Sequence, residues 1–600
     1  MFRLFRHLKP YSGMIAAALV LVLLQSLSDL YLPTLMARIV DVGIPAGDTQ
    51  YILRTGGRML LVAFIGMSCA ITAGYLSARV STGFGRDLRE KLFSRIEAFS
   101  LREFDRFGTA SLITRTTNDV MQVQMVVLMS VRMVASAPIT AIGSIIMAVS
   151  MDARLSLTLL WALPVLGLVM TIAIVRGMPI FKAIQQKIDR LNLVLRENLT
   201  GIRVIRAFNR DEHEAERFDA ANRDLTETHL RVSRIMATVM PLIMLTVNFT
   251  AIALIWIGSH RIDAGNLEVG GLIAFIQYAM RILFSLLNIS FIFIMFPRAA
   301  ASADRVNEVL DVVPEISDPP MPGAHQSGPQ LSASNPADVI NGPQGREGSA
   351  PAARGRVEFR DVTFTYPGAE QPALKNVSFK AEPGQVTAII GGTGSGKSTL
   401  VNLIPRFYDV DTGSVLVNGV DVREMTQKDL RSRIGFVPQK AVLFSGTIAD
   451  NLRYGKEDAT DDEMTHAAEV AQALGFISDM PDGLQSAVAQ GGTNYSGGQK
   501  QRLSIARAIV RKPEIYILDD SFSALDFRTD ARLRAALRKE TKDATVIIVA
   551  QRVSTIMDAD RILVLDGGRI VGNGTHKELL KTSSVYREIV LSQMSEEEIA

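Results

Sequence analysis

Residues Gln385–Ile404 read QVTAIIGGTGSGKSTLVNLI. Gln385–Ile390 is a short apolar run of the kind that forms a buried strand. Gly391–Ser398 satisfies the pattern G-x-x-x-x-G-K-[ST] at every fixed position. Thr399–Ile404 then returns to apolar residues at helical spacing. A glycine-rich loop between strand and helix lets successive backbone N–H groups converge on phosphate oxygens, and the helix N-terminus adds its dipole. Gly391, Gly392, Thr393, Gly394, Ser395, Gly396 and Thr399 form this cradle. Lys397 is placed to reach the β- and γ-phosphates, and Ser398 to hold Mg²⁺.

A second apolar run, Glu514–Leu518, ends in Asp519 and Asp520. A carboxylate at the tip of a buried strand beside a phosphate loop orders the metal ion, so Asp519 takes that role. The C-terminal half is therefore an α/β P-loop domain, over residues 355–590, with ATP and Mg²⁺ as cofactors. Residues 591–600 are a tail.

The N-terminal half has a different composition. The 600-residue chain is 48% hydrophobic and 21% charged with a mean hydropathy of +0.20, as expected of a membrane part joined to a soluble one. Its net charge of +3 selects no class of partner. The single cysteine, Cys69, excludes an internal disulfide and a cysteine-based metal site. Runs long enough to span a bilayer, ~20 residues each, occur at Gly13–Arg38, Met59–Val80, Met129–Ser150, Leu155–Arg176, Thr238–Ser259 and Gly270–Phe296. The first run follows Arg3, Arg6 and Lys9, as a signal peptide would, but it continues to Val40 without a cleavage site. Six apolar spans rule out a soluble ATPase acting on DNA or RNA.

Two long polar stretches separate spans two and three (81–128) and spans four and five (177–237). Arg86–Phe99 and Lys182–Asn198 mix Leu, Ile and charge at helical spacing, so the membrane helices are expected to continue beyond the bilayer. Their basic residues, Arg86, Arg89, Lys91, Arg95, Lys187, Arg190 and Arg196 among them, place these extensions and both termini in the cytoplasm. The expected location is the plasma (inner) membrane. Asp29, Asn248, Arg281 and Asn288 interrupt apolar runs. Polar groups are costly in lipid, which makes these four candidates for a substrate pathway. Met121, Met125, Met129 and Met133 repeat every four residues, a pattern expected of helix packing. The helical membrane domain is assigned to 1–314. Residues 315–354, rich in Pro, Gly, Ser and Ala, read as a flexible tether.

The chain resembles a subunit of an ABC transporter of the exporter type. Tyr495, Ser496, Gly497, Gly498 and Gln499 resemble the LSGGQ signature, with Tyr in first place. Gln439, in GFVPQ, matches the Q-loop glutamine and is implied to help hold the metal. Asp526, in SALD, matches the D-loop. Tyr366, in VTFTYP, matches the aromatic that stacks on adenine. Gly108–Val120 and Asn198–Phe218 resemble the cytoplasmic loops that carry coupling helices. The resemblance implies head-to-tail pairing of two half-transporters, each ATP lying between one chain's phosphate loop and the other's signature. A signature serine followed by two glycines at the start of a helical run is itself a second anion site.

Two departures fall where catalysis is expected. The resemblance implies Glu after the strand-tip Asp, and this chain has Asp520. It implies His before Arg552, and this chain has Gln551. A shorter carboxylate and a lost histidine predict a degenerate, mostly non-hydrolytic site that still binds ATP. The partner is then a second, different half-transporter, a heterodimer in preference to a homodimer. Before the signature the chain reads Ala489-Gln490-Gly491-Gly492, where relatives carry charge. The expected activity is ATP-driven export of a small amphipathic compound across the lipid bilayer. An ATP-gated channel or regulator, and an importer of a metal chelate, are the alternatives; no nucleic-acid partner is expected.

Overall fold

A computed structural model describes residues 2–319 and 354–594, without the side chains of residues 2, 182 and 286–294. Most of the expected tether at 315–354, and residues 595–600 of the tail, lie outside the described residues. Contacts gather the chain into two compact units: Met1–Glu97 with Thr109–Val312, and Ala98–Gly108 with Val313–Ala600.

The first unit is built from α1 (Ser12–Arg38), α2 (Thr49–Glu97), α4 (Val120–Met129), α5 (Ala135–Met151), α6 (Leu159–Ala207), α7 (Asp211–Asp263) and α8 (Val269–Asp311); the short α3 (Leu101–Phe107) belongs to the second. Five helical stretches are long and apolar enough to cross a membrane, Arg3–Gly43, Thr49–Glu97, Thr109–Met151, Ala153–Ala207 and Asp211–Asp263, and the shorter apolar Val269–Ser285 opens α8. They follow the six expected runs in order. At 1.5 Å per residue, helices of 49 to 53 residues such as α2, α6 and α7 extend roughly 74–80 Å. That is more than twice a hydrocarbon core of ~30 Å. Each therefore carries an apolar span and a polar extension without a break, because a helix satisfies its own backbone in either solvent.

Leu30, Leu155, Leu254, Phe275 and Tyr278 lie in one buried cluster of this unit. The Tyr278 hydroxyl donates to the Leu30 carbonyl at 2.7 Å and lies 2.9 Å from Thr34 Oγ1. Those contacts tie α8 to the turn of α1 that contains Pro33, where the helix ladder lacks one donor. Tyr278→Phe keeps the ring and removes the bond. The expected result is a stability loss of about 0.5–1.5 kcal/mol, read as a lowered thermal midpoint in detergent.

Loops between the helices are tied by acids. Asp152 caps the turn at Arg154 and Leu155 and receives the Arg261 guanidinium at 2.8 Å. Burial pushes its carboxyl up, but the Leu155 N–H and Arg261 outweigh that and hold it below its ordinary value. At the far end of α8, Arg305 grips the buried Asp119 through two nitrogens, at 2.8 and 2.5 Å. A π-type turn at Ser130–Val134 inserts a residue between α4 and α5. Along the methionine row Met121 and Met125 are exposed, and Met129 and Met133 are half-buried.

The second unit holds a six-stranded sheet in the order β12-β11-β3-β10-β9-β6 and a four-stranded antiparallel sheet, β2-β1-β4-β5. The larger sheet comprises β3 (Val386–Gly391), β6 (Ile434–Val437), β9 (Ile515–Asp519), β10 (Thr545–Val549), β11 (Arg561–Asp566) and β12 (Arg569–Gly574). The smaller comprises β1 (Val357–Phe364), β2 (Leu374–Ala381), β4 (Thr412–Val417) and β5 (Val420–Asp421). All pairs in the larger sheet are parallel except β11 with β12. Strands β3, β9 and β10 are buried on both faces, which is why they read as unbroken apolar runs. Ile389, Ile517 and Ile547 face one core, with Phe359 and Phe379 of the smaller sheet; Ala388, Leu518 and Ile548 face the other. Parallel strands aim their C-terminal ends at a common edge, where ligands bind in such folds.

Candidate functional site

At that edge β3 turns into the phosphate loop, and α9 (Lys397–Leu403) begins at its last residues. Two glycines there have no substitute. A Cβ on Gly391 would lie 2.1 Å from the Leu565 carbonyl of β11. Gly396 has φ +100° and would bring a Cβ within 2.8 Å of Ala373 O. Lys397 Nζ donates to the carbonyls of Gly391 and Gly392 at 2.9 and 2.7 Å. Burial pushes its ammonium below its ordinary pKa, with Asp520 and Asp519 opposing.

Ser398 Oγ donates to Asp519 Oδ1 at 3.2 Å. Asp519 is pushed above the usual carboxylate range by burial, which Ser398 and Lys397 only partly offset. A half-buried hydroxyl and a buried carboxylate so close together form a hard-oxygen donor set, the kind Mg²⁺ takes. The cation's charge would also relieve the cost of burying the carboxylate.

Asp520 is 8% exposed and has the left-handed φ of +47°. Its Oδ2 accepts from Gln551 Nε2 at 2.8 Å and from Gln439 Nε2 at 3.3 Å. Gln551 follows β10 and Gln439 follows β6, so both come from loops at the same edge. Thus Lys397, Ser398, Gln439, Asp519, Asp520 and Gln551, singled out from separate stretches of sequence, meet in one place. Tyr366 joins them through its hydroxyl, 3.0 Å from Thr399 Oγ1.

The signature residues form a second group. Ser496 caps α10 (Gly497–Val510) reciprocally with Gln499, at 3.3 and 2.9 Å. Gly498 packs so that a Cβ would meet Ala524 O at 3.0 Å. Ser496, Gly497, Gly498, Ala524 and Asp526 line an open recess of about 400 Å³. Asp526 caps α11 (Phe527–Glu540), and the Thr529 N–H holds its carboxyl below the ordinary value. Tyr495 is 6% exposed and donates its hydroxyl to Ala487 O at 3.2 Å. Gly491 and Gly492, in the uncharged loop before it, both have left-handed φ, and Lys500 Nζ bonds Gly491 O at 3.0 Å.

Asp29 and Arg281 are half-buried and Asn248 is exposed. No hydrogen bond or ion pair joins these three among the described residues, and the Asn288 side chain lies outside them. The segment read as a coupling loop, Gly108–Val120, falls almost wholly in the first unit; the piece that packs with the second unit is the preceding α3. Two further residues were not singled out. Gln593 brackets the Gln551 loop, donating to Gln551 O and accepting from Val553 N, each at 2.8 Å. No local pattern marks it. Tyr408 packs against Tyr366; its only sequence signal is its place just after the phosphate-loop helix.

Two family matches cover the two halves: ABC transporter transmembrane region at residues 15–287, and ABC transporter at 374–523. An uncharacterized ABC transporter ATP-binding protein of Mycobacterium tuberculosis is 45% identical over 98% of this chain and 97% of its own length. The chain is a half-transporter of the ABC exporter family. It is also 33% identical to an ATP-dependent lipid A-core flippase of Aromatoleum aromaticum, over 99% of the chain and 96% of the flippase. A solved bacterial Atm1-family ABC exporter with ATP bound superposes with a TM-score of 0.76 at 25% identity, over 98% of this chain and 99% of that one. An N-terminal transmembrane helical domain thus precedes an ABC nucleotide-binding domain, and the half-transporter is an ATPase coupled to transport.

Proposed function

We propose that this half-transporter exports an amphipathic, lipid-like compound as one subunit of a heterodimer. Its own phosphate loop binds ATP and retains it, and its signature completes the hydrolytic site on the partner. It sits in the plasma (inner) membrane with both termini in the cytoplasm. The observation that carries this reading is the state of Asp520. Its carboxylate is short, buried, and bridged by the amides of Gln551 and Gln439. A general base must reach the proton it takes, directly or through one water. An oxygen already occupied by two donors is poorly placed to do so. Gln551 is also not a titratable group, unlike the histidine of the family pattern.

ATP binding does not depend on those two positions. The loop glycines and Lys397 supply the phosphate contacts, and Ser398 and Asp519 would hold Mg²⁺ with Gln439 alongside. Tyr366 offers a ring to the adenine. A bound Mg²⁺ would neutralise charge on the phosphates. The lipid A-core flippase among the relatives supports an amphipathic substrate.

The test is ATP hydrolysis by the full chain purified alone in lipid nanodiscs, beside nucleotide binding. Saturable ATP binding with turnover at least a hundredfold below that of the chain co-purified with a second half-transporter is expected. Robust substrate-stimulated turnover by the chain alone would sink the heterodimer.

A further inference from the structure

Tyr408 stands where the adenine platform meets α3. Three rings pack edge to face or tilted: Phe364 on Tyr366 at 4.9 Å, Tyr408 on Tyr366 at 5.5 Å, and Phe364 on Tyr408 at 5.4 Å between centroids. Two edges therefore set the plane of the Tyr366 ring. Tyr408 is 9% exposed, yet its hydroxyl emerges to donate to Asp105 Oδ2 of α3 at 3.0 Å. Burial first, then Asp105, pushes the phenol well above its ordinary range, so it stays a donor at any working pH.

Both ends of this contact are stiff. Tyr408 lies in a turn in which Arg406 has a left-handed φ of +53° and grips Asp409 at 2.8 and 3.1 Å. The Pro405 and Arg406 carbonyls accept from Arg431 at 3.1 and 3.2 Å. A turn braced on this many sides passes a displacement on where a loose loop would absorb it. On the other side, α3 starts with a reciprocal Ser100–Glu103 cap. Glu103 also accepts from the Glu315 N–H at 3.3 Å, and Arg102 pairs with the Glu315 carboxylate. Phe99 stacks on Phe107 at 5.9 Å. In the chain, α3 follows the 49-residue α2 directly, and Gly108, at φ +71°, leads on to Thr109.

We propose that Tyr408 is a positioning residue that couples occupancy of the Tyr366 ring by a purine base to the order of α3, through its hydroxyl bond to Asp105. The proposal rests on the reading of Tyr366 as the adenine platform. The signal requires a base, because a bare phosphate chain fills the loop without touching Tyr366.

Amide hydrogen exchange over residues 99–107 tests this on the full chain in lipid nanodiscs, with MgATP or inorganic triphosphate as probe. In the wild type MgATP is expected to slow exchange of α3 at least tenfold, and triphosphate less than twofold. Tyr408→Phe keeps the ring and should abolish the MgATP effect while ATP affinity stays within threefold. Asp105→Asn retains an acceptor oxygen and should keep the effect. Asp105→Leu should lose it, and the double variant with Tyr408→Phe should lose no more. Full protection in Tyr408→Phe or Asp105→Leu overturns the proposal, as does equal protection by triphosphate. Tyr366→Ala is read separately, by ATP affinity. A loss of at least tenfold upholds the adenine platform, whereas unchanged affinity removes the platform and the proposal with it.

Discussion

Exchanging Asp520→Glu together with Gln551→His is expected to raise ATP turnover by the purified chain by on the order of 10²–10⁴-fold, the range spanned by a positioned general base. The added methylene carries the carboxylate beyond the point where the Gln551 amide now holds it at 2.8 Å. Replacing that amide removes the competing donor and restores a group that can contact a terminal phosphate. Each single variant should fall well short of the pair, because a longer carboxylate alone gains no group to contact the terminal phosphate, and a histidine alone leaves the carboxylate short. Residues acting on one reacting group are not additive. The backbone works against the gain to a small degree. Asp520 sits at φ +47°, a region that Asp tolerates better than a longer side chain. Nucleotide affinity should hold within a few-fold, since Lys397, Ser398 and Asp519 are untouched. Intact binding with no gain in turnover would show that these two positions are not what limits the site.

The parts of this half-transporter that sequence reveals are those whose cause is local. The phosphate loop reads directly because Gly391 and Gly396 are demanded by contacts of their own backbone. Strands β3 and β9 read as apolar runs because both faces are buried. The long helices read across the membrane boundary because nothing in Arg86–Glu97 stops a helix, which ends two residues short of the expected Phe99. Less legible were features set by distant neighbours. Helix α3 has only seven residues, and its place in the nucleotide-binding unit depends on Tyr408 and Glu315, more than two hundred residues away. Gln593 acquires its place only when the C-terminal segment folds back on Gln551 and Val553. The bridge from Gln439 and Gln551 to Asp520 could not be read either, although each residue had been singled out. The composition of three loops does not state which side chains share an oxygen.

Gly498→Val in the complex with the partner half-transporter is expected to cut ATP turnover by roughly 10²–10³-fold, the cost of losing a preorganised anion-stabilising contact. Asp520→Asn in the same complex should leave it within twofold. The asymmetry follows from geometry. A Cβ at residue 498 would already be 3.0 Å from the Ala524 carbonyl. A branched side chain must therefore drive the helix N-terminus away from the loop that carries Asp526. It also covers the N–H groups that this terminus presents to a phosphate. In the proposed heterodimer the damage falls on the partner's ATP, because head-to-tail pairing would set this signature against the other phosphate loop. Asp520 would face this chain's own nucleotide, where the two glutamine amides already occupy one of its carboxylate oxygens. Turning it into an amide removes a base that does little there. Ser496→Ala separates a folding defect from a lost contact. It removes the helix cap, costing about 1 kcal/mol of local stability, and leaves Gly497 and Gly498 in place, so its effect on turnover should be the milder one. Equal losses from Gly498→Val and Asp520→Asn would mean that both sites hydrolyse, and the division of labour between the subunits would have to be abandoned.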